Sequence, residues 1–402
     1  MMSEWNIGTI SEVCSLVTDG SHYSPKSCDS GEYMVSVKDF KGFGFDFSNC
    51  KHISSDDYEK MKASGCIPEH GDILIGKDGA RFFEDIIIYN QPEKPALLSS
   101  IAILRCNPDI ILPQFLYYIC KNPIFKKDVR DNYGSGSAIP RIVLKDFKRM
   151  TISYPDLAEQ RRIVASLVAI DDRIALNTAI NENLEQQAQA LFKAWFVDFE
   201  SFGGAMPDDW QDISVYDLAD YINGAAFKKA EYGDSGLPII KIAELKSGIT
   251  DSTQYCCVRK DDKYYIDDRD ILFSWSGNPD TSIDTFLWSR GKAILNQHTF
   301  RVVSKYNAPA FTYFLLKYLK PQFAHIASNK QTTGLGHVTV ADLKRLQFCS
   351  NIATINEFEV LAAPIFNTIF AIYKENQHLA ALRDTLLSKL MNGEIDVSAV
   401  KI

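Results

Sequence analysis

The chain has 402 residues and carries 43 Lys and Arg against 51 Asp and Glu, a formal net charge of −8 at pH 7. Hydrophobic residues make up 46% and charged residues 23%, the balance of a globular protein. The net charge excludes a uniformly basic nucleic-acid binder but is compatible with local basic surfaces. No apolar run approaches the roughly 18 residues of a membrane span, and residues 1–10 lack the apolar core of a signal peptide. The nine cysteines include no C-x-x-C pair, which is typical of reduced thiols in a cytoplasm.

The sequence contains an internal repeat. Three segments recur in the same order: 4–5 and 209–210, 71–74 and 269–272, and 144–150 and 340–346. Because the offset drifts only from 205 to 196 residues, chance is a poor explanation. We interpret the chain as a tandem duplication of a unit half its length.

Each copy begins with a stretch that mixes short strand-like runs with Gly, Asn and Asp turns. Residues 33–37, 86–89 and 101–104 have the apolar, β-branched composition of strands. Residues 112–118 and 311–319 have the pattern of short amphipathic helices. We therefore expect a compact mixed α/β domain in each copy.

Each copy ends in a long helix. The first helix begins near Asp156, which has Glu159 at the spacing of a capping box. Thr354 and Glu357 give the same signal at the start of the second helix. Pro364 predicts a kinked or frayed first part of the second helix.

Apolar residues follow both helices at a spacing that alternates between four and three. The predicted seam contains Ile163, Leu167, Ile170, Ile174, Asn181, Leu184, Leu191, Ile365, Ile369, Asn376, Leu379 and Leu386. A repeat of about 3.5 residues is typical of a coiled coil. Asn181 and Asn376 occupy equivalent seam positions, where a buried Asn typically fixes the register at some cost in stability, and Asn177 against Ile372 breaks the symmetry. We expect Asn376→Leu to stabilise the chain but to loosen the pairing of the helices.

The order of these parts predicts an α+β fold with pseudo-two-fold symmetry. We place the first globular domain at residues 1–155, its helix at 156–200, the second domain at 201–350, and the second helix with its tail at 351–402. If the helices pack together they run antiparallel, which puts the two globular domains at opposite ends of a rod. Two equivalent domains at a fixed spacing suit duplex DNA with two half-sites.

The charge distribution supports a DNA partner in both copies. Residues 121–149 hold eight basic and three acidic residues, and residues 317–345 hold five basic residues and one acidic residue. Polar loops lie inside both stretches, at 134–141 and 331–337, where glycine permits a close approach to a phosphate backbone. Solvated surfaces and ordinary loops would have the same composition.

The candidate DNA-contacting residues carry amide, hydroxyl, cationic, imidazole or indole groups. They are Lys38, Lys77, Arg81, Ser135, Ser137, Arg141 and Lys145 in the first copy, and Lys241, Ser274, Trp275, Asn278, Gln297, His298, Gln331, Thr332, Thr333 and His337 in the second. No Walker, G-x-G-x-x-G or H-E-x-x-H motif occurs, and the histidines lack metal-ligand spacing. Residues 244–246 and 261–263 match a nuclease D/E-x-K fragment that is common by chance. We predict a recognition protein with no catalytic residue and no metal site.

Three helical segments carry a resemblance to a known family. Residues 155–164 read PDLAEQRRIV, residues 190–199 read ALFKAWFVDF, and residues 382–395 read LRDTLLSKLMNGEI. They resemble the helical regions of type I restriction–modification specificity subunits (S subunits, HsdS), and the likeness extends over the whole chain, including the duplication.

The resemblance implies a division of roles. Each globular domain would be a target recognition domain that reads one half of a bipartite DNA sequence, and the helices would set the gap. The helices would also dock two methyltransferase subunits that hold S-adenosylmethionine. Restriction subunits would add ATP- and Mg-dependent activity. Arg161, Arg162, Phe192 and Trp195 are candidate docking residues, although Trp195 also fits the seam. A coiled-coil adaptor without DNA specificity and an autonomous DNA enzyme remain the alternatives.

Overall fold

The computed structural model describes residues 5–79, 81–134, 140–250, 252–331, 335–397 and 400. The chain forms two compact units. Unit 1 comprises Met1–Arg173 and Ala380–Ile402, and unit 2 comprises Ile174–Leu379. Each unit contains one globular part and one portion of each long helix. The mixed α and β content and the tandem arrangement confirm the predicted fold class.

Unit 1 is built on a four-stranded antiparallel sheet with the order β2-β10-β7-β8. Its strands are β1 (Asn6–Thr9), β2 (Cys14–Asp19), β3 (Glu32–Val35), β4 (Phe40–Lys41), β5 (Gly44–Phe45), β6 (Lys51–Ile53), β7 (Ile73–Gly76), β8 (Ile86–Ile88), β9 (Ala96–Leu97), β10 (Ile101–Cys106) and β11 (Thr151–Tyr154). Its helices are α1 (Ile10–Val13), α2 (Ser55–Ala63), α3 (Pro113–Lys121), α4 (Pro123–Asn132), α5 (Leu144–Arg149) and the first part of α6 (Leu157–Phe196). Smaller sheets join β6-β3-β9, β1-β11 and β4-β5.

Unit 2 repeats this plan with the sheet β13-β22-β18-β20. Its strands are β12 (Gln211–Ser214), β13 (Ala219–Asn223), β14 (Tyr232–Gly233), β15 (Leu237–Ile240), β16 (Tyr255–Cys256), β17 (Tyr265–Ile266), β18 (Ile271–Ser274), β19 (Ser276–Gly277), β20 (Asp284–Leu287), β21 (Ala293–Leu295), β22 (Thr299–Ser304), β23 (Gly336–His337) and β24 (Gln347–Ser350). Its helices are α7 (Val215–Leu218), α8 (Ile242–Ser247), α9 (Pro309–Tyr318), α10 (Lys320–Ser328), α11 (Val340–Arg345) and most of α12 (Ile352–Met391). The second sheet has the order β14-β16-β15-β21-β17.

An ion pair explains why the 71–74 segment recurs at 269–272. Arg105 of β10 donates to Asp72 at 2.8 Å, and Arg301 of β22 donates to Asp270 at 2.9 Å. In both copies the same carboxylate also accepts a hydrogen bond from the backbone N–H three residues earlier, at 2.7 and 2.8 Å. The aspartate therefore fixes both the turn before the strand and the neighbouring strand.

The other long repeated segment supplies a short helix to each core. Phe147 of α5 and Leu343 of α11 are fully buried. The residues that follow these helices, Met150 and Leu346, each accept a 2.9 Å backbone hydrogen bond from the start of α1 or α7. The matching sequences therefore occupy matching places in the two units.

Both long helices begin at a side-chain cap. Asp156 accepts a hydrogen bond from the Glu159 backbone at 2.8 Å, which confirms the predicted start of α6. In α12, Asn351 accepts from the Thr354 backbone at 2.7 Å, so the helix starts one turn earlier than the Thr354 capping box predicted. Pro364 lies inside α12, which is helical on both sides of it.

The ends of the helices pack into the core of each unit. In unit 1, Leu167 of α6 and Leu390 of α12 belong to the core formed with α3 and the sheet. In unit 2, Phe192 and Phe358 lie in an aromatic cluster with α9. The expectation that Phe192 is an exposed docking residue is wrong, because its side chain is 0% exposed. Trp195 is partly buried against the same core.

Polar residues occupy the helix seam within unit 2. Asn177 donates to Asn376 at 2.9 Å, and Asn181 donates to the Ile369 carbonyl at 3.3 Å. As the residue numbers rise along α6 they fall along α12, so the two helices are antiparallel in this unit. Asn376 therefore makes a polar contact in the seam, with Asn177 as its partner.

By length and composition alone, α12 could cross a membrane. Its residues Phe358, Phe366 and Ile369 are instead buried in the core of unit 2. One apolar helix of this kind is weak evidence for a membrane span, because a core helix of a soluble protein has the same composition.

Candidate nucleic-acid interface

In unit 1, three chain segments meet at the end of β7. Asp78 forms a bridge with Arg141, the Gly79 N–H donates to the Pro140 carbonyl at 2.9 Å, and the Ile142 N–H donates to the Lys77 carbonyl at 3.0 Å. The Lys77 N–H in turn donates to the Ser100 carbonyl at 2.9 Å. We call this set of backbone contacts the unit 1 frame. It brings two sequence-predicted residues, Lys77 and Arg141, into neighbouring strands.

The two cations of this frame differ in exposure. Lys77 is 6% exposed, and its Nζ lies 3.3 Å from Asp19 Oδ2. Arg141 is exposed, and no hydrogen bond or ion pair of its side chain occurs within the described part of the chain. The sequence-level candidate Lys77 therefore points into the protein, whereas Arg141 presents its guanidinium to solvent.

The other described candidates of unit 1 lie on exposed segments. Lys38 is exposed in a short 3₁₀ turn, Val37–Asp39. The residue before the turn, Ser36, donates its backbone N–H to the Asp39 carboxylate. Arg81 pairs with Asp85 at 2.9 Å. Lys145 is exposed on α5. The candidates Ser135 and Ser137 lie outside the described residues.

Unit 2 has the equivalent backbone contacts, which we call the unit 2 frame, but different side chains. The Trp275 N–H donates to the His298 carbonyl at 3.4 Å, and the Val338 N–H donates to the Trp275 carbonyl at 2.8 Å. Strand β19 pairs Ser276 with His337. Trp275 also donates from Nε1 to Asn223 Oδ1 at 3.1 Å, and its ring lies 5.6 Å from that of His298.

The remaining candidates of unit 2 differ in accessibility. Gln297 is exposed beside His298, with 3.3 Å between Nε2 atoms. Asn278 is exposed, but its side-chain oxygen accepts two backbone hydrogen bonds in its own turn. Ser274 is fully buried, so its hydroxyl does not reach the surface. Lys241 lies over the Tyr232 ring at 5.7 Å.

Gln331 is exposed at the start of the second polar loop. The candidates Thr332 and Thr333 lie outside the described residues.

The two frames place different chemistry at equivalent positions. The equivalent pairs are Lys77 and Trp275, Ser100 and His298, Arg141 and His337, and Asp19 and Asn223. Unit 1 offers a guanidinium at this surface, and unit 2 offers imidazoles, an amide and an indole. Arginine, glutamine and histidine are donors that can read base edges, so the units are equipped to read different bases.

Sequence reasoning missed the residues that support the frames. Asp19 and Asn223 end equivalent strands, and each precedes a glycine. A Cβ atom on Gly20 would lie 2.3 Å from the Leu97 carbonyl oxygen, and one on Gly224 would lie 2.2 Å from the Asn296 carbonyl oxygen. The Asp-Gly and Asn-Gly pairs at matching places were the available signal.

Ion pairs neutralise much of the predicted basic surface. In unit 1, Lys126 and Arg130 both pair with Glu84, at 2.7 and 2.9 Å. Lys127, Lys145 and Lys148 are exposed and have no ion pair within the described part of the chain.

In unit 2 most of the lysines in the basic stretch have acidic partners. Lys317 and Lys320 pair with Asp284, and Lys330 pairs with Asp342 at 2.5 Å. Within the described residues of the two stretches, Lys344 and Arg345 of unit 2 are exposed without an ion pair, so unpaired exposed cations are more numerous in unit 1.

The nuclease-like fragments do not form a catalytic arrangement. Glu244 is buried and accepts from the Lys241 backbone at 3.0 Å, which is a helix-capping role. Asp261 and Asp262 are exposed. Over the described residues, no group of three His, Cys, Asp or Glu side chains is placed to hold a metal ion.

Sequence comparison assigns the family. The profile of the type I restriction modification DNA specificity domain matches residues 2–186 and again residues 207–349. The chain therefore belongs to the DNA specificity family of type I restriction–modification systems and carries two copies of its domain, as the resemblance implied.

Individual relatives agree with this assignment. The MjaIX specificity subunit of Methanocaldococcus jannaschii is 26% identical over 311 residues, which is 72% of this chain and 70% of that protein. The HindI specificity subunit of Haemophilus influenzae is 23% identical over 410 residues, 81% of this chain and 86% of that protein. The solved S subunit of M. genitalium has the same fold, with a TM-score of 0.53 and 16% identity over 96% of both chains.

Proposed function

We propose that this chain is the DNA-recognition subunit of a type I restriction–modification complex and reads a bipartite sequence, one half with each frame. The observation that carries this proposal is the pair of frames, which share backbone hydrogen bonds but differ in exposed side chains. A shared scaffold with different side chains is what two unlike half-sites require.

Partner subunits would supply the chemistry. In unit 2, α6 exposes Leu176 and Ile180, which are 53% and 37% accessible, and α12 exposes Val360 and Leu361, at 73% and 48%. Exposed apolar side chains on a helix are typical of an interaction surface. We propose that methyltransferase subunits cover these helices, two per complex, and that Arg161 and Arg162 extend the docking surface in unit 1.

The chain itself would be non-catalytic. S-adenosylmethionine would be held by the methyltransferase subunits, and ATP and Mg²⁺ by restriction subunits where these are present. All nine cysteines are free, which suits a reducing cytoplasm.

The test is co-expression with the cognate methyltransferase, followed by mapping of methylated adenines in host DNA. The expected result is one motif with two defined parts separated by a fixed, unspecified gap. Replacing residues 206–350 with those of another family member should change one part only. A change in both parts would contradict the assignment of one half to each unit.

A DNA-free adaptor is the remaining alternative. Binding of the purified complex to the mapped site should fall steeply as salt rises, because phosphate contacts release counterions. Complex formation without salt-dependent DNA binding would favour the adaptor.

A further inference from the structure

The backbone at Arg141 is held on both sides. The residue before it accepts a hydrogen bond from Gly79, the residue after it donates to Lys77, and Arg141 itself is bridged to Asp78. Ile142 is fully buried and anchors this strand to the core. The direction in which the Arg141 side chain leaves the surface is therefore set by the frame rather than by a free loop.

Each carboxylate of the frame region lies beside a cation other than Arg141, and Asp78 Oδ1 accepts no hydrogen bond from the described residues. Asp19 lies 3.3 Å from the Lys77 ammonium, and Asp78 lies 3.7 Å from the same group. Asp85 pairs with Arg81 at 2.9 Å. Arg141 is exposed without a carboxylate partner in the described part of unit 1, so all of its N–H donors are available to a ligand.

Unit 2 provides the internal comparison. His337 occupies the position of Arg141, and Val338, like Ile142, is fully buried and bonded to the frame. An imidazole cannot form the two parallel N–H donations of a guanidinium. The two half-sites should therefore differ at the base that faces this position.

We propose that Arg141 is a specificity-determining residue of unit 1 and reads a guanine through O6 and N7. This inference rests on the proposed function. A guanidinium fork matches these two acceptors, and a lysine ammonium, which is a point charge, does not match them in the same way. A phosphate also fits this fork, so base readout is distinguished from phosphate binding by whether Arg141→Lys affects one base or all sites.

The experiment uses the full chain co-expressed with its methyltransferase, with methylated adenines mapped for each variant. Arg141→Lys should lower methylation of the original motif about tenfold or more and relax one guanine in one half, with the other half unchanged. Lys148→Ala, which removes an exposed cation of the same unit, should lower methylation of all sites evenly. Arg141→Ala should relax the same position, and its melting temperature shows whether it folds.

The outcomes separate the two proposals. A wild-type complex that methylates no two-part motif would overturn the proposed function. A wild-type motif that Arg141→Lys methylates as well as the parent, or loses evenly at all sites, would overturn the guanine assignment alone.

Discussion

Lys77 and Trp275 show how one position can be filled in two ways. Each has a backbone fixed in the frame, and each side chain is satisfied by the residue that ends the first strand of the sheet, Asp19 or Asn223. The cation is paired with a carboxylate and the indole with an amide oxygen. A lysine at this position therefore requires an acidic residue at the end of the first strand, because burying an ammonium group without a carboxylate lowers the free energy of unfolding.

Removing the carboxylate should destabilise unit 1. Asp19→Asn removes the nearer carboxylate of the buried Lys77 ammonium and leaves only Asp78, 3.7 Å away, so we expect a loss of about 1–3 kcal/mol in the free energy of unfolding. The double variant with Lys77→Met should recover most of this loss. Urea denaturation measures both. Arg81→Ala, which removes an exposed pair, is the control and should cost less than about 1 kcal/mol. Equal losses for Asp19→Asn and the control would contradict this account.

A second buried carboxylate should make stability depend on pH. Glu359 accepts hydrogen bonds from the Ala310 and Phe311 N–H groups at the start of α9, at 3.2 and 2.8 Å. Burial raises the pKa of Glu359, although these two bonds act in the opposite direction. Because the folded pKa is raised, the contribution of this group is full below its unfolded pKa and is lost as the pH rises through the folded value.

Glu359→Gln removes the buried charge but keeps only one oxygen to accept from the Ala310 and Phe311 N–H groups, so its melting temperature should be lower than that of the parent near pH 4. The difference should shrink toward pH 8, because only the parent loses stability as Glu359 ionises. In unit 1 an amide lies before α3, where Gln160 accepts from the Leu112 N–H at 2.9 Å and donates to the Ile110 and Pro155 carbonyls. Thermal unfolding at the two pH values is the measurement. A difference in melting temperature that stays the same or grows toward pH 8 would contradict the raised pKa of Glu359.

At the scale of the elements, the sequence predicts two long helices but not how they are staggered. The apolar spacing identified both helices, and the Asp156 cap was correct. Periodicity defines the buried face of a helix, whereas the stagger depends on contacts of the helix ends with the globular parts. The repeat therefore does not identify the partner of Asn376, which is Asn177.

The contact between Asn177 and Asn376 reverses the effect on stability that the sequence predicts for Asn376→Leu. The buried Asn177 amide would lose its acceptor, so the single substitution should destabilise unit 2 by about 1–3 kcal/mol. Asn177→Leu with Asn376→Leu removes both polar groups and should restore or exceed the parental stability. Chemical denaturation of the three chains measures these effects. Stabilisation by Asn376→Leu alone would favour the expectation from the sequence.

At the scale of the whole molecule, the duplication, the fold class and the family were all predictable. The repeat segments that matched in sequence are those that build ion pairs and cores, because these contacts tolerate few residue types. The two frames could not be predicted from the sequence, because they consist of backbone hydrogen bonds, which place little restriction on residue type. The predicted DNA-contacting residues therefore included exposed residues such as Arg141 and buried residues such as Lys77 and Ser274.

The chain has a net charge of −8, but its exposed lysines without acidic partners are unevenly distributed between the two units. The salt dependence of DNA binding should show this difference. Lys127, Lys145 and Lys148 are exposed without acidic partners in the described part of unit 1, whereas Lys320 and Lys330 of unit 2 are paired. Each phosphate contact contributes about 0.9 to the slope of log K against log salt. Replacing the three lysines of unit 1 with alanine should therefore lower the slope of the methyltransferase complex by about 2 to 3.

Lys320→Ala with Lys330→Ala is the matched control for this charge asymmetry. These substitutions break ion pairs within unit 2, so they should lower its melting temperature and change the slope by less than about 1. Fluorescence anisotropy of the mapped duplex across a salt series measures both slopes. Equal slope changes in the two units would show that the paired lysines exchange their carboxylates for phosphates on binding, and the asymmetry in free charge would then have no part in DNA affinity.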